Sequence, residues 1–179
     1  MTAPNPAGQY RQMMRETLQE WLTAQAIDGV AEVYPGDLRE IPWDEHLMSN
    51  PDTACVVIIN LPRTTEDRAA GTGPTDRGGK DRHYSVELEV THRGMDAEDG
   101  WEDSRNDYDR IIDALLDCLR GSGRELGRPD VVFQIGEWPR SAGIVDEHDE
   151  PFLIEDAGVV ERRGVISFTL TQYLPTDVP

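Results

Sequence analysis

From Ala54 to Leu61 the chain reads Ala-Cys-Val-Val-Ile-Ile-Asn-Leu, an apolar run with β-branched residues at its centre and Pro62 behind it. A run without alternating polar positions is a strand covered on both faces, so this one is expected at the centre of a sheet, ending at Pro62. Its clearest companion is residues 83–93, His-Tyr-Ser-Val-Glu-Leu-Glu-Val-Thr-His-Arg. Tyr84, Val86, Leu88 and Val90 alternate there with Ser85, Glu87, Glu89 and Thr91, the two-residue period of a strand with one dry and one wet side.

Helices are expected to either side of this pair. Tyr10, Met13, Met14, Thr17, Leu18, Trp21 and Leu22 recur at three- and four-residue steps, which predicts a helix over about 7–27 with Gly29 as its stop. A short strand follows at Val30–Tyr34, closed by Pro35 and Gly36. Residues 37–53, with Pro42 and Pro51, read as irregular, Trp43 pinning them to the core. Farther on, Tyr108, Ile111, Ile112, Leu115, Leu116 and Leu119 predict a helix over about 106–120. Asp107 and Asp109 at its start and Arg120 at its end suit the helix dipole, and Gly121 and Gly123 close it. Further strands are expected at 131–138 and 164–174, with a short one near Phe152–Ile154. The order predicts an α+β fold: a mostly antiparallel or mixed β-sheet with two helices packed on one face, in a single domain over 1–179.

Two segments stand outside this plan. Residues 62–82, rich in Arg, Thr, Gly and Asp, are too long for a hairpin turn and read as a flexible arm or loop. Residues 139–161 form an acidic connector with seven acids and one base, and 175–179 a short tail. Across the chain 35 acids face 17 bases, a formal charge of −18. That excludes a general nucleic-acid binder, which needs clustered cations to neutralise phosphates. Residues 62–93 are the exception, with six bases matching six acids. No apolar run is long enough for a membrane helix, and the first residues lack the basic and apolar parts of a secretory signal. Cys55 and Cys118 make neither a zinc pattern nor a disulfide framework, and are expected as buried free thiols in a reducing compartment.

Candidate chemistry is sparse. His83 and His92 lie nine positions apart on one expected strand, hence on opposite faces. His83, Glu87 and Glu89 share a face and are of the types that ligate a divalent ion or act as a carboxylate pair, although such a row is ordinarily a solvated charged face. His148, inside Asp146–Glu150, lacks the spacing and glycine of a calcium loop and reads as part of a solvated acidic loop. Ser104 and Ser141 are isolated, no G-x-S-x-G elbow occurs, and both cysteines fall on expected buried faces, where a thiol stays protonated. Gly71-Thr72-Gly73 and Gly78-Gly79-Lys80 do not make a P-loop, because Lys80 is followed by Asp81 and a strand.

In element order and size the sequence is similar to the tail terminator (tail completion) proteins of long-tailed bacteriophages. The likeness runs over about residues 8–174: an N-terminal amphipathic helix, a strand ending Val-Val-Ile-Ile-Asn-Leu-Pro, a long loop, the strand His83–Arg93, the helix Asp107–Arg120, and a closing strand Val165–Leu174 after Arg162 and Arg163. The resemblance implies a structural virion protein without enzyme activity, catalytic residues or cofactor, assembled in the host cytoplasm. It would cap the tail tube as a homo-oligomeric, hexameric ring and join tail to head. Its partners would be copies of itself, the tail tube protein and a head–neck connector or stopper, with DNA passing through unbound and no membrane involved. In that reading Arg63, Arg68, Arg77, Lys80 and Arg82 contact a neighbour, and Glu87 and Glu89 face the channel. Alternatives are a head-completion or neck stopper protein, a metal-dependent enzyme using His83, Glu87 and Glu89, and an acidic DNA-mimicking adaptor.

Overall fold

The apolar run at 54–61 lies inside a mixed sheet that has seven strands among the described residues, as its lack of polar positions requires. In a computed structural model, which describes residues 8–36, 40–49, 53–69, 79–95, 100–121, 126, 133–135, 145–148, 152–154 and 159–175, the chain is α+β. Its elements are α1 (Gly8–Ala24), β1 (Val30–Tyr34), α2 (Trp43–Ser49), β2 (Thr53–Ala69), β3 (Gly79–Met95), α3 (Gly100–Gly121), β4 (Phe133–Ile135), β5 (Val145–His148), β6 (Phe152–Ile154) and β7 (Val159–Pro175).

The spine is three strands of 17 residues, β2–β3–β7, paired antiparallel. β1 joins β2 in parallel, from Val30 opposite Cys55 to Tyr34 opposite Ile58. Parallel neighbours need a crossover, and the segment holding α2 supplies it. At the other edge β6, β5 and β4 pair in turn with Val159–Glu161, Gly164–Ser167 and Leu170–Gln172 of β7.

α1 and α3 pack on one face, as their apolar stripes anticipate. Met14, Leu18 and Leu22 from α1 and Tyr108, Ile111, Ile112, Leu115 and Leu119 from α3 form one buried cluster with Cys55, Val57, Ile59, Tyr84, Leu88, Ile166 and Leu170. Gly29 lets them close up: its φ is +91°, and a Cβ there would stand 2.9 Å from Ile111 Cδ1. Side chains of α1 also tie down the sheet's open edge, with Arg11 donating to Leu61 O and Gln19 Nε2 to Val33 O at 2.9 Å.

Four expectations need correction. Pro62 does not end its strand. A register shift between Asn60 and Arg63 places it in a bulge, where its missing N–H breaks no ladder, and β2 runs on to Ala69. Residues 62–69 and 79–82 are therefore paired strand rather than flexible loop, and 70–78 lie outside the described residues. Residues 43–49, read as irregular, are helical: two prolines flanking seven residues hide a helix too short to show a period. α3 starts at Gly100, so its first-turn acids are Glu102 and Asp103 rather than Asp107 and Asp109. Within the expected connector, the short strand near 152–154 is present as expected, but 145–148 is a strand on the β7 edge as well and β7 begins at Val159, so His148 sits opposite Gly164 in a ladder rather than in a loop. The rest of 139–158, Gly123 and the last four residues lie outside the described residues.

Candidate functional site

The face turned away from α1 and α3 carries the residues that alternate with the core. On β3 these are His83, Ser85, Glu87, Glu89, Thr91 and Arg93; across the ladder stand Ile58 and Asn60 of β2 and Glu161 and Arg163 of β7. α2 and residues 40–42 lean over β2 on this side and leave an open groove of about 790 Å3 between helix and sheet. Pro42, Trp43, Ile58, Asn60, Glu89 and Arg93 line it, with Glu40, Asp44 and Glu45 along the helix wall.

One carboxylate organises the groove's far end. Glu161 is 1% exposed, and it accepts from Arg93 Nε at 2.6 Å and from the Nε and Nη2 fork of Arg163 at 2.7 Å. Glu161 and Arg163 are two positions apart on β7, so the period-two alternation places both on this face. The Arg93 guanidinium also lies 4.3 Å over the Trp43 ring, a cation–π contact that couples α2 to the sheet. Trp43, Arg93, Glu161 and Arg163 thus form a chain from α2 across β3 to β7. With the two arginines turned to Glu161, the acids Glu40, Asp44, Glu45 and Glu89 leave the groove an excess of negative charge. Among the described residues no histidine, cysteine or serine lines it. It has an aromatic wall, a mixed floor and a charged rim.

His83 and His92 fall on opposite faces, as their odd spacing requires. His83 is buried, its Nδ1 2.9 Å from Thr171 Oγ1, while Glu87 and Glu89 are half-buried farther along β3. Among the described residues no three His, Cys, Asp or Glu side chains converge to hold a metal ion.

Ser104 is not isolated. It sits 4% exposed beneath the first turns of α3, with its Oγ 3.5 Å from His92 Nδ1 and accepting from Arg162 Nε at 3.3 Å. His92 is fully buried, with Thr53 Oγ1 3.0 Å from its Nε2 and the Tyr108 ring edge-on at 6.2 Å. Burial lowers its pKa to about 4; Arg162 and Arg110 push the same way and Asp107 opposes them. A serine against a histidine resembles part of a nucleophilic pair, but here the second ring nitrogen meets a threonine rather than an acid, and both residues are sealed from solvent. The arrangement is a buried polar tie between β2, β3, β7 and α3. Sequence spacing gave no hint of it, because His92 and Ser104 meet only when α3 folds back over β3.

The cysteines differ. Cys55 is fully buried, with its thiol pushed up to about 12, whereas Cys118, expected buried, is half-buried and raised by burial and by Asp117.

Of the basic residues assigned to an arm, Arg63 is exposed on β2. Arg82 is engaged within the chain: it is ion-paired to Glu66 opposite it, with its Nε 2.7 Å from Oε1, and stacked 4.3 Å from the Tyr10 ring. Arg68 and Lys80 stand opposite each other in the β2–β3 register. Arg77 lies outside the described residues. No family model matches the chain, and no curated protein sequence does either.

Proposed function

We propose that this chain is a structural assembly protein that forms a closed homo-oligomeric ring, of the kind that caps a bacteriophage tail tube and joins it to the head. The observation that carries the reading is the ribbon made by β2, β3 and β7. α1 reaches it at Arg82, and three further paired rows follow before residues 70–78. At about 3.3 Å per residue, these rows extend the stiff ladder by about 10 Å. A braced ribbon holds a fixed direction, which suits a contact repeated from copy to copy. The half-buried acids Glu87 and Glu89, on the face away from α1 and α3, suit a wall past which DNA moves without sticking, since phosphates are repelled and no counterions are released. Six copies of the 20.1 kDa chain would make a ring of about 120 kDa, with head-to-tail contacts closed by rotation.

Replacing residues 67–81 with Asn-Gly tests this, because a two-residue turn then joins Glu66 to Arg82 and preserves their pair. The expected product is a folded monomer that no longer forms rings. Intact rings from this variant in negative-stain microscopy would remove the ribbon from the assembly contact.

A further inference from the structure

We infer that the open edge of β2 at residues 61–66 receives an extended acidic segment of a partner protein, which joins the sheet as a further strand. This contact goes beyond the ring reading and does not depend on it.

The sheet topology supplies the edge. β1 accompanies β2 only as far as Ile58, which stands opposite Tyr34, and it ends before Pro35 and Gly36. Gly36 closes the covered stretch, since a Cβ there would stand 3.1 Å from Ile59 O. β2 runs on to Ala69 with β3 on one side, and among the described residues no strand lies on the other. Every second residue of such a strand turns its N–H and C=O outward, where they meet water or template another strand.

Arginines flank this edge above and below. On the helix-covered face, α1 presents Arg15 and, one turn earlier, Arg11. The Arg15 guanidinium lies against Gly36, where a Cβ would stand 3.2 Å from its Cζ and Nε, and Arg11 donates to Leu61 O. Arg63 is exposed and stands opposite Ser85, so it projects from the groove face of the same edge. The Arg15 Nε is buried and has no acceptor among the described residues, although the side chain as a whole is half-buried. Such a donor is costly, and a carboxylate brought to this edge would offer the guanidinium a charged acceptor. Glu66, the nearby acid on β2, is already paired with Arg82.

These charges select the occupant. The same edge of a second copy would bring arginines against arginines, and Pro62 and the bulge shorten the ladder it could form. A partner strand with consecutive acids fits, because successive side chains alternate between faces and so reach Arg11 and Arg15 on one side and Arg63 on the other. Nucleic acid has no peptide backbone with which to complete the ladder, and a chain of charge −18 repels it.

The probe is a fluorescein-labelled, amidated peptide, Thr-Val-Asp-Glu-Asp-Val-Thr, titrated with the full chain and read by fluorescence anisotropy. Saturable binding is expected, weakened about tenfold by Arg63→Glu and about fivefold by Arg15→Gln, each with an unchanged circular dichroism spectrum. Methylating two adjacent central amide nitrogens of the peptide keeps its charge but blocks donation towards either side, and should weaken binding about tenfold. Amide exchange in the fragment covering 61–66 should slow about tenfold when the peptide is bound. Absence of binding overturns the proposal, and so does equal binding of the methylated peptide, of a Lys-Arg-Lys counterpart or of a short single-stranded DNA. Protection of 61–66 that arises without peptide and grows with protein concentration would place a second copy on the edge and overturn the partner assignment.

Discussion

His92 and Arg93 are neighbours on β3, and they live under opposite rules. His92 points into the helix-covered face, where it is fully buried, kept neutral by burial, and satisfied by Thr53 and Ser104. Arg93 points into the groove face, where it remains a cation shared between Trp43 and Glu161. The helix-covered face keeps the His92 ring neutral and packs it among apolar side chains, and so gives the fold its stability. The groove face keeps charge and pairs it. A two-residue period is enough to build both from one strand.

The sharpest way to break this comparison is to remove bulk from each face in turn. Leu88→Ala, in the sealed core, is expected to cost about 3 to 4 kcal/mol by urea unfolding, because a cavity adds to the lost transfer energy. Ile58→Ala, on the groove side, should cost about half as much, since water can fill the space it leaves. Equal losses would mean that the groove face is as much a core as the other.

Acid should act next, through His92. Its folded pKa is about 4, below the ordinary value of 6.5, so between these two pH values the unfolded chain binds a proton that the fold refuses. Stability is complete above pH 6.5 and falls as the pH drops towards 4, by roughly 3 kcal/mol in all. Asp107, Arg110 and Arg162 are the charges around it. The other carboxylates titrate in the same range, so the measurement is the difference from His92→Gln, which should lack this part of the acid limb. Parallel curves for the two proteins would show that the histidine is not sealed.

The smallest effect belongs to the groove. Glu161→Gln leaves two guanidiniums with a weaker acceptor, but Arg163 is 48% exposed and water compensates for part of the loss. A cost of about 1 to 2 kcal/mol is expected, with Arg93 freed to leave Trp43. Tryptophan fluorescence of Glu161→Gln against Trp43→Phe would register that release; no change would mean that Trp43 holds Arg93 without the carboxylate.

Much of the architecture was legible because it is written at short range. The stripe of α1 and the alternation Tyr84–Val90 each state which side is dry, the run Cys55–Ile59 states that both faces are covered, and packing obeyed them. The second half of β2 was not legible: Pro-Arg-Thr-Thr-Glu-Asp-Arg-Ala has no apolar alternation, and it is a strand because β3 lies beside it. α2 was hidden for a related reason, since its seven residues make fewer than two full turns and leave no period to read.

The candidate site was the least legible part. Glu87 and Glu89 were correctly assigned to the face away from the core, but the residue that organises the groove, Glu161, sits in a stretch read as an acidic connector, and Trp43 in one read as a loop. Local sequence determined that α1, α3 and the central strands would form and which side of each helix and of β3 would be apolar, because these depend on neighbours within one or two turns. The tertiary structure alone decided how far β2 and β7 extend, which side α2 covers, and that Trp43, Arg93, Glu161 and Arg163 meet, because those outcomes depend on ladder register and crossover between residues up to about 120 positions apart.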